Sequence, residues 1–433
     1  MNDSSKQSAV FDHDICIVGA GAAGLWAAGV AARRGARVLV LEKTARTGTK
    51  ILASGGTRCN LTTTLGPIDA ARLFCGSGAR FLRSAFRALP PERVRERFAE
   101  LGVPTSEAPL EKIFPTSGRA RDVRDALERE ALEAGAQIEL NASIHGLRQL
   151  PSGAFDLALA DGLTRTSPCV MLCTGGKSYP STGTTGEGYE WLRSLGLKVL
   201  DTAPALVPLA SPAPWVHSLT GIAWQGGEAR LRRAGGKIIA RRRRPLLFTH
   251  QGLSGPAALD LSVHVARAEA GADFVLSLDF FPDHDWDALR DLLIEAASWK
   301  GQHRLSRVLP ASAEGEPMPR RLLAAVTEAA GLDASDLHVD TLNKARRHQL
   351  VETLKGLEVP IRGTLDFDRA EVTTGGLDLK AVNPRSMEVR SIPGLYVFGE
   401  LLDLDGPIGG LNFQAAFACA QLAALAATPE LSE

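Results

Sequence analysis

Residues 14–24 read Asp-Ile-Cys-Ile-Val-Gly-Ala-Gly-Ala-Ala-Gly, and this stretch decides the fold of the N-terminal part of the chain. The run 15–18 is apolar and β-branched, which is typical of a strand buried on both faces. Glycines 19, 21 and 24 follow at Gly-x-Gly-x-x-Gly spacing, and the pattern predicts a helix over 22–34 and a second strand over 37–41. A strand, turn, helix and strand within about thirty residues indicate a dinucleotide-binding turn.

Each glycine of this turn has its own physical reason. Gly19 permits the tight turn, Gly21 lets the backbone approach a pyrophosphate, and Gly24 lets the helix pack closely on the strand. The N-terminus of the helix then presents free N–H groups and a positive dipole end to the phosphates. Glu42, just past the second strand, can accept hydrogen bonds from the ribose hydroxyls of adenosine and would repel a 2′-phosphate.

A second segment, near the C-terminus, favours FAD over a free nicotinamide dinucleotide. A buried strand is predicted over 395–398, and it delivers Gly399 and Glu400 to the edge of the sheet, where the carboxylate can bind a ribityl hydroxyl. After Gly409-Gly410 an alanine-rich helix is predicted over 411–427. Its positive N-terminus would stabilise negative charge that develops on the flavin pyrimidine ring. A third predicted strand, over 168–174, ends at Gly175-Gly176 and returns the chain to the nucleotide.

A stretch that follows the turn carries a resemblance to a known family. Residues 48–62 read Gly-Thr-Lys-Ile-Leu-Ala-Ser-Gly-Gly-Thr-Arg-Cys-Asn-Leu-Thr. Further matches lie at 174–180, at 248–256 and from Gly375-Gly376 to Asn412. Together they resemble the BaiN/YhiN-like NAD(P)/FAD-dependent oxidoreductases, a bacterial family related to aminoacetone oxidase. Thr57 stands where the family has a third glycine, and Leu411 stands where a tyrosine is common.

The resemblance implies bound FAD, an FAD domain that is discontinuous in sequence, and an inserted domain. We therefore predict an α/β fold with a doubly wound parallel sheet of the two-dinucleotide-binding type. The FAD domain is predicted over 1–195 and 355–433, and the insert, β-rich and then helical, over 196–354. The segments above are expected to bind the cofactor through Gly19, Gly21, Ala22, Ala23, Gly24, Glu42, Lys43, Lys50, Ser54, Gly55, Gly56, Arg58, Asn60, Thr174, Gly175, Gly176, Gly399, Glu400, Asp405, Gly409, Gly410, Leu411 and Asn412.

Lys50 and Arg58 have two interpretations, as cations that balance the pyrophosphate or a reduced flavin, and as surface charges. His250 is the best acid–base candidate because the ordinary pKa of histidine lies near the working pH, although a bracing role is an equal alternative. Tyr179 is a weaker candidate. Cys59 has no resolving partner in sequence, so a structural thiol is favoured.

Composition limits the classes of function. The 49 basic and 49 acidic residues cancel, which argues against a dedicated nucleic-acid or anionic-membrane binder. The run Arg241–Arg244 is accordingly interpreted as a solvated hairpin edge rather than a nucleic-acid site. Six cysteines without a Cys-x-x-Cys pair, and the lack of an apolar leader or membrane-length run, predict a reduced, cytoplasmic protein. The sequence predicts no metal site and does not indicate an oligomeric state.

The predicted function is that of an FAD-dependent oxidoreductase, which transfers hydride between flavin N5 and a small organic substrate. No second Gly-x-Gly-x-x-Gly follows a strand, so NAD(P)H is expected only as a transient electron donor at the flavin. An amine or amino-ketone oxidase that uses O₂ is one alternative. A flavoprotein with structural FAD, or with a role in nucleic-acid modification, is an alternative of another class.

Overall fold

A computed structural model describes residues 11–269, 271–301, 303–312, 314–333 and 338–428. Within these ranges the strands are β1 (Ile15–Val18), β2 (Val38–Leu41), β3 (Thr62–Thr63), β4 (Thr105–Ala108), β5 (Lys112–Pro115), β6 (Gln137–Glu139), β7 (Ile144–Gln149), β8 (Phe155–Leu159), β9 (Thr164–Ser167), β10 (Val170–Leu172), β11 (Val199–Ala205), β12 (Leu209–Ala210), β13 (Ala223–Trp224), β14 (Glu228–Arg233), β15 (Ile238–Arg243), β16 (Leu246–Thr249), β17 (Gly252–Ser254), β18 (Phe274–Asp279), β19 (Leu357–Ile361), β20 (Gly363–Thr364), β21 (Val372–Leu377) and β22 (Leu395–Val397).

The helices in the same ranges are α1 (Ala22–Arg33), α2 (Thr49–Thr57), α3 (Pro67–Arg72), α4 (Gly78–Phe81), α5 (Arg83–Ala88), α6 (Pro91–Glu100), α7 (Ala120–Glu133), α8 (Glu187–Ser194), α9 (Pro214–Ser218), α10 (Gly255–Ala266), α11 (Trp286–Ala297), α12 (Leu305–Val308), α13 (Arg320–Ala329), α14 (Lys344–Gly356) and α15 (Leu411–Ala427). None of these helices is both long enough and apolar enough to cross a bilayer. The sequence predicts that the N-terminus lacks a leader. Residues 1–10 of that segment lie outside the described ranges.

A five-stranded sheet with the order β22-β10-β1-β2-β6 organises the first part of the fold. Every neighbouring pair in it is parallel, and β1, β2, β10 and β22 are buried along their whole length. Parallel strands need crossover connections, and these cover both faces of the sheet with helices, so the strands are continuous apolar runs. This sheet confirms the predicted dinucleotide-binding fold.

Helices α1 and α15 come from opposite ends of the chain and pack against each other. The glycines of α1 face other neighbours, since a Cβ added to Gly24 would meet Gly19 and one added to Gly29 would meet Glu130 of α7. Trp26 anchors the contact: its indole lies with its centroid 4.9 Å from that of Phe417 and donates a hydrogen bond of 2.9 Å to Gln421 Oε1. The packing of α1 on α15 therefore joins the first and last segments of the sequence in one core.

The chain divides into two compact units, which are Met1–Ala203 with Glu371–Glu433, and Pro204–Ala370. The sequence placed the end of the insert near residue 354, whereas β19 and β20 also belong to the second unit. The physical reason is strand pairing. β19 pairs antiparallel with β18, and β20 pairs antiparallel with β12, so both strands share hydrogen bonds with the insert.

The second unit contains two sheets and the helices α9 to α14. One sheet has the order β13-β16-β17-β12-β20, and the other has the order β15-β14-β18-β19 with antiparallel pairs throughout. Its own buried cluster of apolar side chains surrounds residues such as Phe248, Leu276 and Leu350. β14 and β15 form a hairpin around Ala234-Gly235-Gly236, and β15 lies at the end of the strand order, as expected from the interpretation of the run Arg241–Arg244 as a hairpin edge.

One small sheet is absent from the sequence-based expectation. Sequence reasoning predicts that the region 48–134 is mainly helical, and α2 to α7 lie there, but β3, β5 and β4 also form a three-stranded antiparallel sheet in it. Strand β4 has the sequence Thr-Ser-Glu-Ala, which lacks an apolar alternation, so its pairing with β5 decides its conformation.

Candidate functional site

The carboxyl ends of three neighbouring strands bring the predicted cofactor segments together. Val18, Leu172 and Val397 are in register across β1, β10 and β22. The turn at 19–24, the segment 174–176 and the segment 399–400 therefore leave the sheet at the same edge. Ligands of open α/β sheets bind outside this edge. Two stretches separated by almost the whole sequence thus meet at one site.

The chain packs closely against Gly19 and Gly24 of the turn, whereas Gly21 faces open space. A Cβ added to Gly24 would lie 1.9 Å from the carbonyl oxygen of Gly19, and one added to Gly19 would lie 2.8 Å from the carbonyl oxygen of Cys173. A Cβ added to Gly21 would meet no atom within 4 Å. Gly21 therefore borders the space in which a dinucleotide pyrophosphate would fit.

Helix α1 begins directly at this space. Its first intrahelical hydrogen bond runs from the Leu25 N–H to the Gly21 carbonyl oxygen at 3.0 Å. The N–H groups of Ala22, Ala23 and Gly24 come before that bond and have no acceptor inside the helix. These donors and the positive end of the helix dipole are the arrangement that binds phosphate.

Glu42 fastens the turn to the end of β2. One carboxylate oxygen accepts from the Ala20 N–H at 2.8 Å, and the other accepts from the N–H and the hydroxyl of Thr44 at 2.9 and 2.8 Å. The oxygen that accepts from Ala20 keeps a further lone-pair site, and the residue is half-buried. The carboxylate is therefore held rigidly beside the turn, where ribose hydroxyls could reach it.

Lys43 is held by residues beyond the turn. Its ammonium donates to Thr185 Oγ1 and forms an ion pair with Glu187, each at 2.6 Å. Partial burial of Glu187 opposes its ionisation, but the hydrogen bonds from Lys43 and Thr185 outweigh this, so the pKa of Glu187 lies below its ordinary value. The Lys43 side chain consequently ties the loop after β2 to the start of α8.

The segment 54–60 is an irregular end to α2. Ser54 is extended and Gly55 and Gly56 are left-handed, so the helix breaks at a kink and the glycines are exposed. The Arg58 guanidinium lies 4.5 Å from the centroid of the Phe114 ring, and Asn60 Oδ1 accepts from the Ile113 N–H at 3.1 Å. Both partners belong to β5, the strand that sequence reasoning missed. β5 is what positions Arg58 and Asn60.

Lys50 and Glu400, both predicted to bind the cofactor, form an ion pair with each other. The second oxygen of Glu400 accepts from the Thr373 N–H at 2.8 Å. The side chains are 25% and 17% exposed, so the pair is only partly open to solvent. Lys50 thus balances the charge of Glu400 and orients its carboxylate.

Thr373 is a site residue that sequence reasoning missed. Its hydroxyl accepts from the Lys177 N–H and shares a hydrogen bond with the Ser178 hydroxyl, both at 2.8 Å. A Cβ added to Gly176 would lie 2.4 Å from that hydroxyl and 2.8 Å from Glu400 Oε1. Position 176 therefore has no room for a side chain, because Thr373 and Glu400 occupy the space. The pair of threonines before Gly375-Gly376 was the available signal.

Thr174 and Gly175 continue the strand end of β10. The Thr174 hydroxyl is buried, has no hydrogen-bond partner among the described residues, and would lie 2.5 Å from a Cβ added to Gly188 of α8. Its hydroxyl therefore points into the chain. Gly175 has a φ of +77° and turns the backbone toward the edge of the sheet.

The loop before α15 is braced by its own side chains. Asn412 accepts from the Gly406 N–H and donates to the Gly406 carbonyl oxygen, each at 2.9 Å. The Asp405 carboxylate accepts from the Thr374 hydroxyl at 2.8 Å and is nearly buried. Leu411 lies in the core. These three predicted cofactor residues therefore brace the loop through contacts within the chain.

The start of α15 depends on Gly409 and Gly410, which have φ values of +141° and +79°. A Cβ added to Gly410 would lie only 2.1 Å from the Thr62 carbonyl oxygen. The first-turn N–H groups of α15 precede the bond from the Gln414 N–H to the Gly410 carbonyl oxygen, so they have no acceptor in the helix. Like α1, this helix offers donors and positive potential to an anionic group.

The residues present fit FAD in these respects. The space at Gly21 admits a pyrophosphate, the carboxylate of Glu42 suits the ribose, and α1 offers donors for the phosphates. Glu400 lies at the end of a neighbouring strand, in the position expected for a ribityl contact. The fold brings the predicted cofactor segments together at one edge of the sheet. The direct contacts of their residues with FAD are predictions.

Three other candidates lie outside this set of contacts. His250 is exposed in the loop between β16 and β17, in the second unit, whereas the predicted cofactor residues all belong to the first. Cys59 is fully buried, and burial raises the pKa of its thiol to about 12. Tyr179 has a left-handed backbone with a φ of +51°. The buried thiol of Cys59 is poorly suited to redox exchange.

The fold and this site define an FAD-dependent oxidoreductase of the Rossmann type. Residues 13–426 match the family described as HI0933-like protein Rossmann domain, and the chain belongs to that family. The predicted resemblance to the BaiN/YhiN-like flavoproteins is thereby confirmed.

Two relatives are similar over almost their whole length. The chain is 31% identical to a ribosomal RNA dihydrouridine synthase of Escherichia coli, over 94% of this chain and 97% of that protein. It is 30% identical to a 3-dehydro-bile acid delta(4,6)-reductase of Clostridium scindens, over 95% of this chain and 98% of that protein.

A solved structure shows the same fold at lower identity. The 3-ketosteroid-delta4-(5alpha)-dehydrogenase of Rhodococcus jostii matches with a TM-score of 0.50 at 16% identity, over 98% of this chain and 99% of that chain. At this identity the likeness concerns the fold alone.

Proposed function

We propose that this flavoprotein transfers hydride between FAD N5 and a small organic substrate that contains a C=C bond conjugated to a carbonyl group. The observation that supports it is the meeting of β1, β10 and β22 at one sheet edge, next to the N-terminus of α1. FAD, when bound, supplies the centre that accepts and releases hydride. The protein's task is to bind it, orient it and exclude water.

Each segment has a proposed role in holding the cofactor. Glu42 accepts hydrogen bonds from the adenosine ribose, the N–H groups at the start of α1 bind the pyrophosphate, and Glu400 binds a ribityl hydroxyl. Lys50 balances the charge of Glu400 and orients its carboxylate through the ion pair between them. The N-terminus of α15 lowers the energy of negative charge at the flavin ring.

The names of the relatives support this substrate class. Conversion of uridine to dihydrouridine, and reduction of a delta(4,6) unsaturated 3-dehydro compound, both add hydrogen across a C=C bond. In both compounds that bond is conjugated to a carbonyl group, which makes its far carbon an acceptor for hydride. We therefore favour an electron-poor alkene over an amine as the substrate.

NAD(P)H is the proposed electron donor, bound transiently rather than in a domain of its own. The test is anaerobic mixing of the purified FAD protein with NADPH or NADH, with flavin absorbance as the readout. Bleaching, followed by recovery on addition of 2-cyclohexenone without oxygen, is expected. Peroxide formation with an amine would favour the oxidase alternative. FAD that no donor reduces would overturn the redox proposal.

His250 is proposed as the group that delivers a proton to the reduced substrate. In a His250→Asn variant, FAD should stay bound while the step that reoxidises the flavin with the enone becomes slower. The control is His303→Asn, another histidine of the second unit. An unchanged rate at every pH between about 5 and 9 would exclude His250 from proton transfer.

A second candidate substrate is uracil within RNA. Relatives in Escherichia coli and Haemophilus influenzae, at 31% and 29% identity over almost the whole chain, are named ribosomal RNA dihydrouridine synthase. The reaction class would be unchanged, because the uracil C5–C6 bond is conjugated to a carbonyl group. The net charge of zero predicts no nucleic-acid partner, but a neutral chain can still carry a locally basic surface.

A further inference from the structure

The basic charge of the second unit is concentrated on the hairpin β14–β15. Residues 228–244 contain seven arginines and one lysine against a single acidic residue, Glu228. The hairpin forms one edge of the sheet β15-β14-β18-β19, since β15 has no further neighbour in the strand order. We call residues 228–244 the arginine hairpin. A neutral chain therefore carries a strongly basic surface.

Part of this charge is used within the fold. Arg230 pairs with Glu228 and with the buried Asp279, and Arg243 pairs with Asp283. Other carboxylates are contributed by neighbouring elements: Asp260 of α10 lies within 3.6 Å of Arg242 and 3.2 Å of Arg244, and Glu358 of β19 pairs with Arg232. These arginines have a structural explanation.

Three cations of the arginine hairpin lack such an explanation. Arg233, Lys237 and Arg241 are exposed and form no ion pair with any residue in the described part of the chain. Arg233 and Lys237 flank the turn, and Arg241 lies on the outer strand. They are the cations that a ligand could reach.

The position of Arg241 is unfavourable without a ligand. It is directly opposite Arg230 across the two strands, on the same face of the sheet. Like charges in directly opposite positions destabilise a strand pair. Glu228 and Asp279 already neutralise Arg230, whereas Arg241 has no carboxylate of its own. A polyanion laid along this face would supply the missing negative charge.

Protection of an exposed sheet edge is the competing explanation. Charged side chains on an edge strand prevent pairing with other chains. That explanation covers Lys237 and Arg241 but does not require Arg233, which lies on the inner strand β14. Nor does it require a cation opposite Arg230. The two explanations also predict different effects when these cations are neutralised. Edge protection predicts aggregation, whereas polyanion binding predicts loss of binding.

We propose that the arginine hairpin, through Arg233, Lys237 and Arg241, is a docking surface for the phosphate backbone of RNA. The proposal rests on the second substrate candidate above, uracil within RNA. The surface has cations but no exposed aromatic side chain on which bases could stack, so it positions the RNA backbone and does not read sequence. Sequence selection then belongs to the flavin site.

The test measures binding of the FAD-loaded, full-length protein to a labelled, uracil-rich RNA of about 30 nucleotides, by fluorescence anisotropy at several salt concentrations. In the variant R233Q/K237Q/R241Q we expect binding weaker by on the order of tenfold to a hundredfold at ~0.1 M salt. The slope of log K against log salt concentration should fall by about 2, because each lost phosphate contact removes about 0.7.

The matched control is R320Q/K344Q/R346Q, which removes three exposed cations of α13 and α14 that form no ion pair with a carboxylate among the described residues. It should bind RNA like the original protein. Equal affinity of the control and hairpin variants would overturn the proposal. So would binding to vesicles of phosphatidylglycerol and phosphatidylcholine in preference to RNA, an outcome that the exposed Ile238 and Ile239 would then explain.

A single substitution at the tip keeps the test valid if the triple variant does not fold. Lys237→Glu should weaken RNA binding more than Lys237→Gln, because inversion adds repulsion to the lost attraction. Equal binding by both would contradict the proposal. Failure of the redox proposal can be told apart from failure of this one, because the anisotropy measurement needs no electron transfer. If RNA binding depends on the arginine hairpin but no donor reduces the FAD, the docking surface is supported and the redox proposal is not.

Discussion

At the scale of single residues, Glu42 is the side chain whose role is easiest to isolate. Its carboxylate holds the turn through the Ala20 N–H and is placed to accept from the adenosine ribose. In a Glu42→Gln variant, loss of a charge-assisted hydrogen bond should weaken FAD binding by about 1–3 kcal/mol. Fluorescence titration of the apoprotein measures this.

The thermal midpoint of the same apoprotein separates the loss of a ligand contact from damage to the turn. Glu352→Gln, an exposed carboxylate of α14, is the control and should leave FAD affinity unchanged. An unaltered dissociation constant in Glu42→Gln would remove this residue from the proposed ribose contact.

Gly21 and Gly24 should respond in opposite ways to the same added methyl group. Gly24→Ala places Cβ 1.9 Å from the Gly19 carbonyl oxygen, so the apoprotein should lose several kcal/mol of stability, as expected for overpacking against backbone. Gly21→Ala meets no protein atom within 4 Å, so the apoprotein should fold normally yet bind FAD poorly. Urea unfolding and FAD titration of both variants test the contrast. Normal FAD affinity in Gly21→Ala would place the pyrophosphate elsewhere.

The six cysteines should differ sharply in reactivity. Cys75 is exposed, whereas burial raises the pKa of Cys59 and Cys419 to about 12. Since the thiolate is the reactive form, the buried thiols should react slowly at pH 8 and should not become fast until the pH approaches 12 or the protein unfolds. Labelling with iodoacetamide, read by mass spectrometry, should modify Cys75 first. Rapid native labelling of Cys59 would restore it as a redox candidate.

At the scale of elements, the start of α15 is the most constrained feature of the site. Gly410 is left-handed and its added Cβ would lie 2.1 Å from the Thr62 carbonyl oxygen. Gly410→Ala therefore combines backbone strain of about 1 kcal/mol or more with a clash, and should lower both stability and FAD affinity. Urea unfolding measures the first effect and FAD titration the second.

Gly235→Ala is a matched control for that experiment. Gly235 has a comparable φ of +67°, but its added Cβ meets nothing within 4 Å. It should show the cost of the left-handed backbone alone, about 1 kcal/mol, with unchanged FAD affinity. If both variants lose equal stability, the contact with Thr62 has no energetic weight.

At the scale of the whole molecule, FAD should stabilise the two units unequally. All predicted cofactor residues belong to the first unit. A ligand present at about 100 times its dissociation constant stabilises the state that binds it by about 2.7 kcal/mol. Hydrogen exchange should therefore slow in the segments 19–24, 48–60 and 399–412 when FAD is added, with little change in the arginine hairpin. Equal protection of the hairpin would contradict this assignment.

Much of the local structure was available from the sequence. The strand, turn and helix over 15–33, the hairpin β14–β15 and the helix α15 follow from apolar periodicity and glycine placement within short windows. These features depend on hydrogen bonds between near neighbours, so a short stretch contains the information. The family motifs extended the same reasoning to the cofactor.

Only the tertiary structure decided which side chains meet. Glu400 pairs with Lys50, and β5 holds Asn60. The end of the insert lies beyond β19 because of a strand pairing that no local pattern reports. The physical reason is that tertiary packing brings together residues that are distant in sequence, 53 positions apart for Asn60 and Ile113 and 350 for Lys50 and Glu400. A local pattern specifies an element, whereas packing of distant elements specifies its partners.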